Sequence, residues 1–84
     1  MKERQQIISL ITRILEDKGA DYPALNGDTI FLSGDLDFDS LDLAGLVSEL
    51  EDLYGSSPFE NGFVNFQTVD ELAKLFATAS NSND

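Results

Sequence analysis

The chain has no cysteine, so it forms no disulfide and offers no thiolate to a metal. It has no histidine, which removes the commonest general base near neutral pH and the commonest metal ligand. A self-sufficient hydrolase or transferase is therefore not expected. No apolar run approaches the length that spans a bilayer. Positive charge is scarce and badly spread: the basic residues are Lys2, Arg4, Arg13, Lys18 and Lys74, with none between Gly19 and Ala73. A net charge of −11 excludes nucleic acid, whose phosphates need lysine and arginine, and disfavours anionic membrane surfaces. The opening "MKERQQIISL" reads as neither a secretory signal nor a transit peptide, so a cytoplasmic location is expected.

What is present is one small domain: 84 residues, 42% hydrophobic, enough for a modest core. The span without cations carries twelve acids: Asp21, Asp28, Asp35, Asp37, Asp39, Asp42, Glu49, Glu51, Asp52, Glu60, Asp70 and Glu71. Such a surface either solubilises the domain or attracts basic partners and speeds their arrival.

Three segments carry a helical period. In "KERQQIISLITRILEDKG" Ile7, Ile11, Ile14 and Leu15 recur at three- and four-residue spacing, with Ile8 and Leu10 beside them and Lys18-Gly19 as the stop. "SLDLAGLVSELEDLYG" has a stripe of Leu43, Leu46, Val47, Leu50, Leu53 and Tyr54, with Asp39 and Ser40 placed to cap its start and Asp42 in its first turn. "TVDELAKLFA" opens with a capping box, Thr68 with Glu71, and buries Val69, Leu72, Ala73 and Phe76. Residues 20–39 form a long connection with turn residues and five apolar anchors, Ile30, Phe31, Leu32, Leu36 and Phe38. An ordered loop packed on the helices is expected there, with two short strands as the alternative. A second loop, "SSPFENGFVNFQ", turns Phe59, Phe63 and Phe66 inward. The expected architecture is an all-α bundle over residues 1–77, with 78–84 a loose tail.

The stretch "GDLDFDSLD" sets four aspartates around Ser40. A calcium loop would use Asp35, Asp37 and Asp39 as its first ligands. The match then stops: Ser40 stands where the sharp turn needs glycine, Asp42 where an apolar residue belongs, and Leu46 where the closing bidentate glutamate belongs. No designed metal site is expected, only weak adventitious binding of divalent cations. Ser40 has no neighbouring base, no histidine to form a Ser-His pair and no G-x-S-x-G elbow, so it is no catalytic nucleophile. It is either a simple helix N-cap or a hydroxyl that another enzyme modifies. A phosphodiester there would meet the positive end of a helix dipole, although the aspartates oppose that attraction.

On these residues the chain resembles the acyl carrier proteins and related phosphopantetheine-binding carriers. Asp39-Ser40-Leu41 matches their D-S-L at the start of the second helix, and Leu50-Glu51-Asp52 matches the leucine-acid-acid end of its acidic face. Asp35-Leu36 and "TVDELA" fit as well, and the likeness runs from the first helix to about Ala77. The resemblance implies a four-helix bundle, three main helices plus a short one around Pro58–Asn61. It implies that Ser40 receives 4′-phosphopantetheine from coenzyme A through a phosphopantetheinyl transferase. The terminal thiol of that arm then holds an acyl or aminoacyl thioester for fatty-acid, polyketide or related biosynthesis. A monomer without catalytic residues of its own is expected, served by a loading ligase and downstream synthases or transferases with basic surfaces. The recognition face is expected to comprise Asp37, Asp39, Leu41, Asp42, Ala44, Ser48, Glu51 and Asp52.

Departures from typical fatty-acid carriers point to specialised partners. Gly45 stands inside the second helix where those proteins carry an acid, Ser48 replaces an apolar residue, and Asp37-Phe38 replaces smaller residues. Bulky side chains are expected to fill the space between helices, leaving a short or polar cargo outside the bundle. The alternative reading is an unmodified acidic interaction domain that docks basic proteins.

Overall fold

The computed structural model describes residues 2–34, 36–59 and 65–80, with side chains described as far as residue 77. The first amphipathic segment forms α1 (Lys2–Asp17), and its face of Ile7, Leu10, Ile11 and Leu15 is buried. Gly19 ends it. With φ at 72°, Gly19 donates its N–H to Glu16 O at 3.0 Å, and Ala20 donates to Leu15 O at 2.9 Å. This double return satisfies carbonyls the helix would otherwise leave open, in a conformation natural to glycine. The long connection follows, then α2 (Ser40–Tyr54), a second loop, and α3 (Val69–Ser80). Each helix touches the other two, and α1 packs most extensively on α3.

The core joins the three helices to the long loop. Val69, Leu72, Ala73 and Phe76 of α3 are wholly buried, as expected from their spacing. They meet Ile7, Ile11 and Leu15 of α1 and Leu46 and Leu50 of α2. Each fully buried Leu, Ile or Phe contributes about 1.5–3 kcal/mol relative to exposure, so this cluster is the main source of stability. In α2 the expected stripe is narrower than the sequence suggests. Leu43, Val47 and Tyr54 are partly buried, and Leu53 is 57% exposed.

The long loop is ordered by three of its five anchors. Phe31, Leu36 and Phe38 are buried, whereas Ile30 and Leu32 stand out in solvent. The ring of Phe31 packs 6.0 Å from Phe38 and edge-on to Phe66 at 5.7 Å. No strand forms among the described residues. A single antiparallel bridge, Ile30 to Thr68, joins the two loops instead. There Phe31 donates to Gln67 O and Val69 donates to Thr29 O, both at 3.0 Å.

The start of α3 is tied down from three sides. The capping box is present: Glu71 N–H donates to Thr68 Oγ1 at 3.1 Å, and Thr68 N–H donates to Glu71 Oε1 at 3.0 Å. Arg4 clamps Asp70 with two hydrogen bonds, at 2.7 and 3.0 Å, joining α1 to α3. Asp70 N–H donates to Gly27 O at 2.9 Å, and a Cβ at Gly27 would lie 2.2 Å from Asp70 Oδ2. A side chain at Gly27 would push the Asp70 carboxylate out of its clamp with Arg4.

The expected short helix at 58–61 lies partly outside the described residues: Pro58 and Phe59 form a turn, and 60–64 are not described, Phe63 among them. α3 continues to Ser80, three residues beyond the expected end of the domain at 77, and residues 81–84 lie outside the description.

Candidate functional site

Ser40 is the first residue of α2, and it is exposed. The helix is capped by its neighbour. Asp39 is extended (φ −108°, ψ −177°), and its carboxylate accepts from Asp42 N–H at 2.9 Å. Asp42 returns the contact by accepting from Asp39 N–H at 3.2 Å, which completes a reciprocal capping box. Because Asp39 does this work, the Ser40 hydroxyl is not needed as a cap. The simple N-cap explanation of the serine is thereby removed.

Lys18, just past the end of α1, reaches across to the same place. Its ammonium donates to the backbone carbonyl of Asp37 at 2.6 Å and to Asp42 Oδ2 at 2.8 Å, with Asp37 Oδ1 at 3.5 Å. The hydrogen bond from Lys18, then that from the Asp39 backbone, holds the Asp42 carboxyl below the usual carboxylate range. The Asp42 hydrogen bond in turn raises Lys18. Sequence reading missed this cation, because it lies 19 and 24 residues from its partners.

The expected recognition residues divide by geometry. At about 100° per residue, Ser40, Ala44, Ser48 and Glu51 share one side of α2. All four line a groove of about 490 Å³ completed by Leu32, Leu43, Val47, Phe59 and Phe66. The interior between the helices is filled by the buried Leu, Ile and Phe side chains, as expected, and this groove opens on the surface beside the serine. Leu41 stands clear of the core at 81% exposure, the most exposed large apolar residue among those described. Asp37 and Asp39 are exposed beside it. Asp52 is exposed further round α2, where it lines a separate groove with Gln6, Leu10, Arg13, Glu49 and Leu53. Asp42 differs from the rest: its side chain is only 22% exposed, turned to Lys18 and the capping box rather than outward. Glu51 accepts a hydrogen bond from Ser57 Oγ at 2.6 Å.

Among the described residues no three carboxylates gather into a group able to hold a metal ion; Asp35 lies outside the description. No described helix is long and apolar enough to cross a membrane.

The described residues form three helices, with an exposed serine opening the second. Residues 5–76 match the family described as the phosphopantetheine attachment site. The chain belongs to that family of acyl carrier and phosphopantetheine-binding proteins, whose domain is the site of covalent 4′-phosphopantetheine attachment. The structure is similar to the solution structure of MacpD, an acyl carrier protein from Pseudomonas fluorescens involved in mupirocin biosynthesis. The TM-score is 0.74 and the identity 37%, covering 88% of this chain and 67% of MacpD. No curated protein matches the chain. Members of this family work with a modifying transferase and with synthase enzymes.

Proposed function

We propose that Ser40 is the attachment residue and that the domain presents an acyl thioester to a succession of biosynthetic enzymes. The observation that carries this reading is the exposed hydroxyl at the first position of α2, beside a cap supplied wholly by Asp39 and Asp42. Ser40 Oγ would supply the bridging oxygen of the phosphodiester. A bond forms from Ser40 Oγ to the phosphorus on the pantetheine side as the phosphoanhydride bond of coenzyme A breaks; adenosine 3′,5′-bisphosphate leaves, and the hydroxyl proton passes to the transferase or to solvent. The arm contributes the terminal thiol on which cargo is held, so the chain itself needs no catalytic side chain. Tethering keeps the intermediate at high effective concentration near each enzyme.

The recognition face proposed is Asp37, Asp39, Leu41, Ala44, Ser48, Glu51 and Asp52, with Asp42 acting from within. Exposed acids around an exposed leucine suit brief, salt-sensitive docking to basic surfaces on a transferase, a loading ligase and downstream synthases. The groove beside Ser40, lined by Leu43, Val47, Phe59 and Phe66, favours an apolar acyl cargo over a charged one. Likeness to a carrier from mupirocin biosynthesis supports a polyketide-type pathway over an aminoacyl one. The domain is proposed to work as a cytoplasmic monomer over residues 1–77.

Incubation with coenzyme A and a broad-specificity phosphopantetheinyl transferase should add one prosthetic group by intact-protein mass spectrometry. Ser40→Ala should gain none while keeping its far-UV circular dichroism. Addition to the alanine variant would move the site elsewhere. No addition to either, with binding to basic proteins retained, would favour an unmodified docking domain.

A further inference from the structure

We propose that Lys18 is a positioning residue for the modification of Ser40, an inference that rests on Ser40 being the attachment residue. Its contacts bracket the serine in sequence: the Asp37 carbonyl lies three residues before Ser40, and the Asp42 carboxylate two residues after it. They also bracket it in structure. Lys18 follows α1, Asp37 belongs to the end of the long loop, and Asp42 belongs to the first turn of α2. One ammonium therefore fixes the loop-to-helix junction to a third element. Three donors on one nitrogen suit three acceptors, the Asp37 carbonyl and the two carboxylates.

Other anchors stop short of the serine. Leu36 and Phe38 bury their side chains, and Phe31 lies behind them, but Asp37, Asp39, Ser40 and Leu41 are all exposed. The capping box holds Asp39 to Asp42 within α2 and its own cap, and joins them to nothing else. Lys18 is the described contact that ties this exposed stretch to α1. Catalysis of group transfer depends on where the attacking oxygen stands, and small displacements are costly in rate.

Lys18 also sits as a cation inside the surface proposed to attract basic enzymes. If charge were its only effect, removing it would take the net charge from −11 to −12 and tighten docking. Positioning predicts the opposite sign, which separates the two roles.

The test is steady-state transfer from coenzyme A by a broad-specificity phosphopantetheinyl transferase at fixed ionic strength. It compares wild type, Ser40→Ala, Lys18→Met and Lys18→Arg. Lys18→Met keeps the length of the stem and deletes the donors. Its kcat is expected to fall about fivefold, the upper range for an exposed ion pair, with KM unchanged or lower. Lys18→Arg should return kcat to within about twofold of wild type, since arginine keeps charge and donors. Lys18→Gln, with two amide N–H donors on a shorter, uncharged stem, gives an intermediate kcat and serves if the methionine variant loses helix content. A methionine variant that turns over as fast as wild type, or faster, overturns the positioning role, as does a slow one that arginine does not rescue. In both cases wild type is still modified at Ser40. Wild type that gains nothing at Ser40 overturns the site and the positioning role together.

Discussion

Gly45 lies in the middle of α2, and a Cβ built on it meets no heavy atom within 4 Å. Its backbone is ordinary helix, so it is not kept for a left-handed conformation. An interior glycine costs about 1 kcal/mol against alanine in unfolded-chain entropy and lost helix propensity. Gly45→Ala should therefore stabilise the domain by about that amount and raise Tm by about 4–8 °C. Thermal melting followed by circular dichroism checks it, and an unchanged or lower Tm would mean the space is not free in solution. Single residues also show where sequence reading works. The offset of Leu41 from the stripe matched its exposure. Leu53 was misread, because three-residue spacing from Leu50 extends the stripe on paper. In three dimensions it lies at the edge of the helix face, beside the Arg13–Glu49 ion pair, where α1 does not cover it.

Helices α2 and α3 begin with carboxylates that are held in their charged form. Asp42 is held low by Lys18 and then by the Asp39 N–H. Asp70 is held low by Arg4, and Glu71 by the backbone N–H groups of Gln67 and Thr68. Each binds its proton less readily in the folded chain than in the unfolded one. The stability they contribute is therefore fully present above the usual carboxylate range, about pH 4, and is lost as pH falls through the lowered folded values. In about 0.5 M NaCl, which screens long-range repulsion but not contact hydrogen bonds, Tm should hold from pH 7 to 5 and drop by pH 3. Arg4→Met and Lys18→Met should flatten that drop; a wild-type Tm that climbs steadily down to pH 3 would show that these contacts do not govern acid stability. The capping box at Thr68 was legible because Thr and Glu stand at the usual spacing. The box at Asp39 was less so, because its returning residue is the shorter Asp42 rather than Glu or Gln. The Ile30–Thr68 bridge was not legible at all. It involves a single residue from each loop, too little for any alternation to show.

Over the whole molecule, the acids are less lonely than their order along the chain implies. The long span without a cation receives three from outside it: Arg4 on Asp70, Arg13 on Glu49, and Lys18 on Asp37 and Asp42. Each joins α1, or the residue just past it, to a later element, and such distant pairings leave no mark in local sequence. Added salt therefore acts in two directions. It weakens these pairs, and it screens repulsion among the acids that remain. Exposed ion pairs are worth little and are partly satisfied by geometry, whereas the net charge of −11 is borne by a body only 23 × 20 Å across its shorter axes. At 0.01 M salt the screening length is about 30 Å, so every acid feels most of the others; at 0.1 M it is about 10 Å, and only near neighbours remain coupled. Relief of repulsion should win, and Tm should rise from low salt to about 0.2 M NaCl, by several degrees for each 1 kcal/mol recovered. Because the described acids form no metal-holding cluster, magnesium should act as a stronger screening ion rather than a ligand. Its effect should grow smoothly with concentration and fade once about 0.2 M NaCl is already present. A magnesium response that saturates at a fixed stoichiometry in that salt would reveal a site, and a Tm that falls with NaCl would mean the ion pairs outweigh the repulsion.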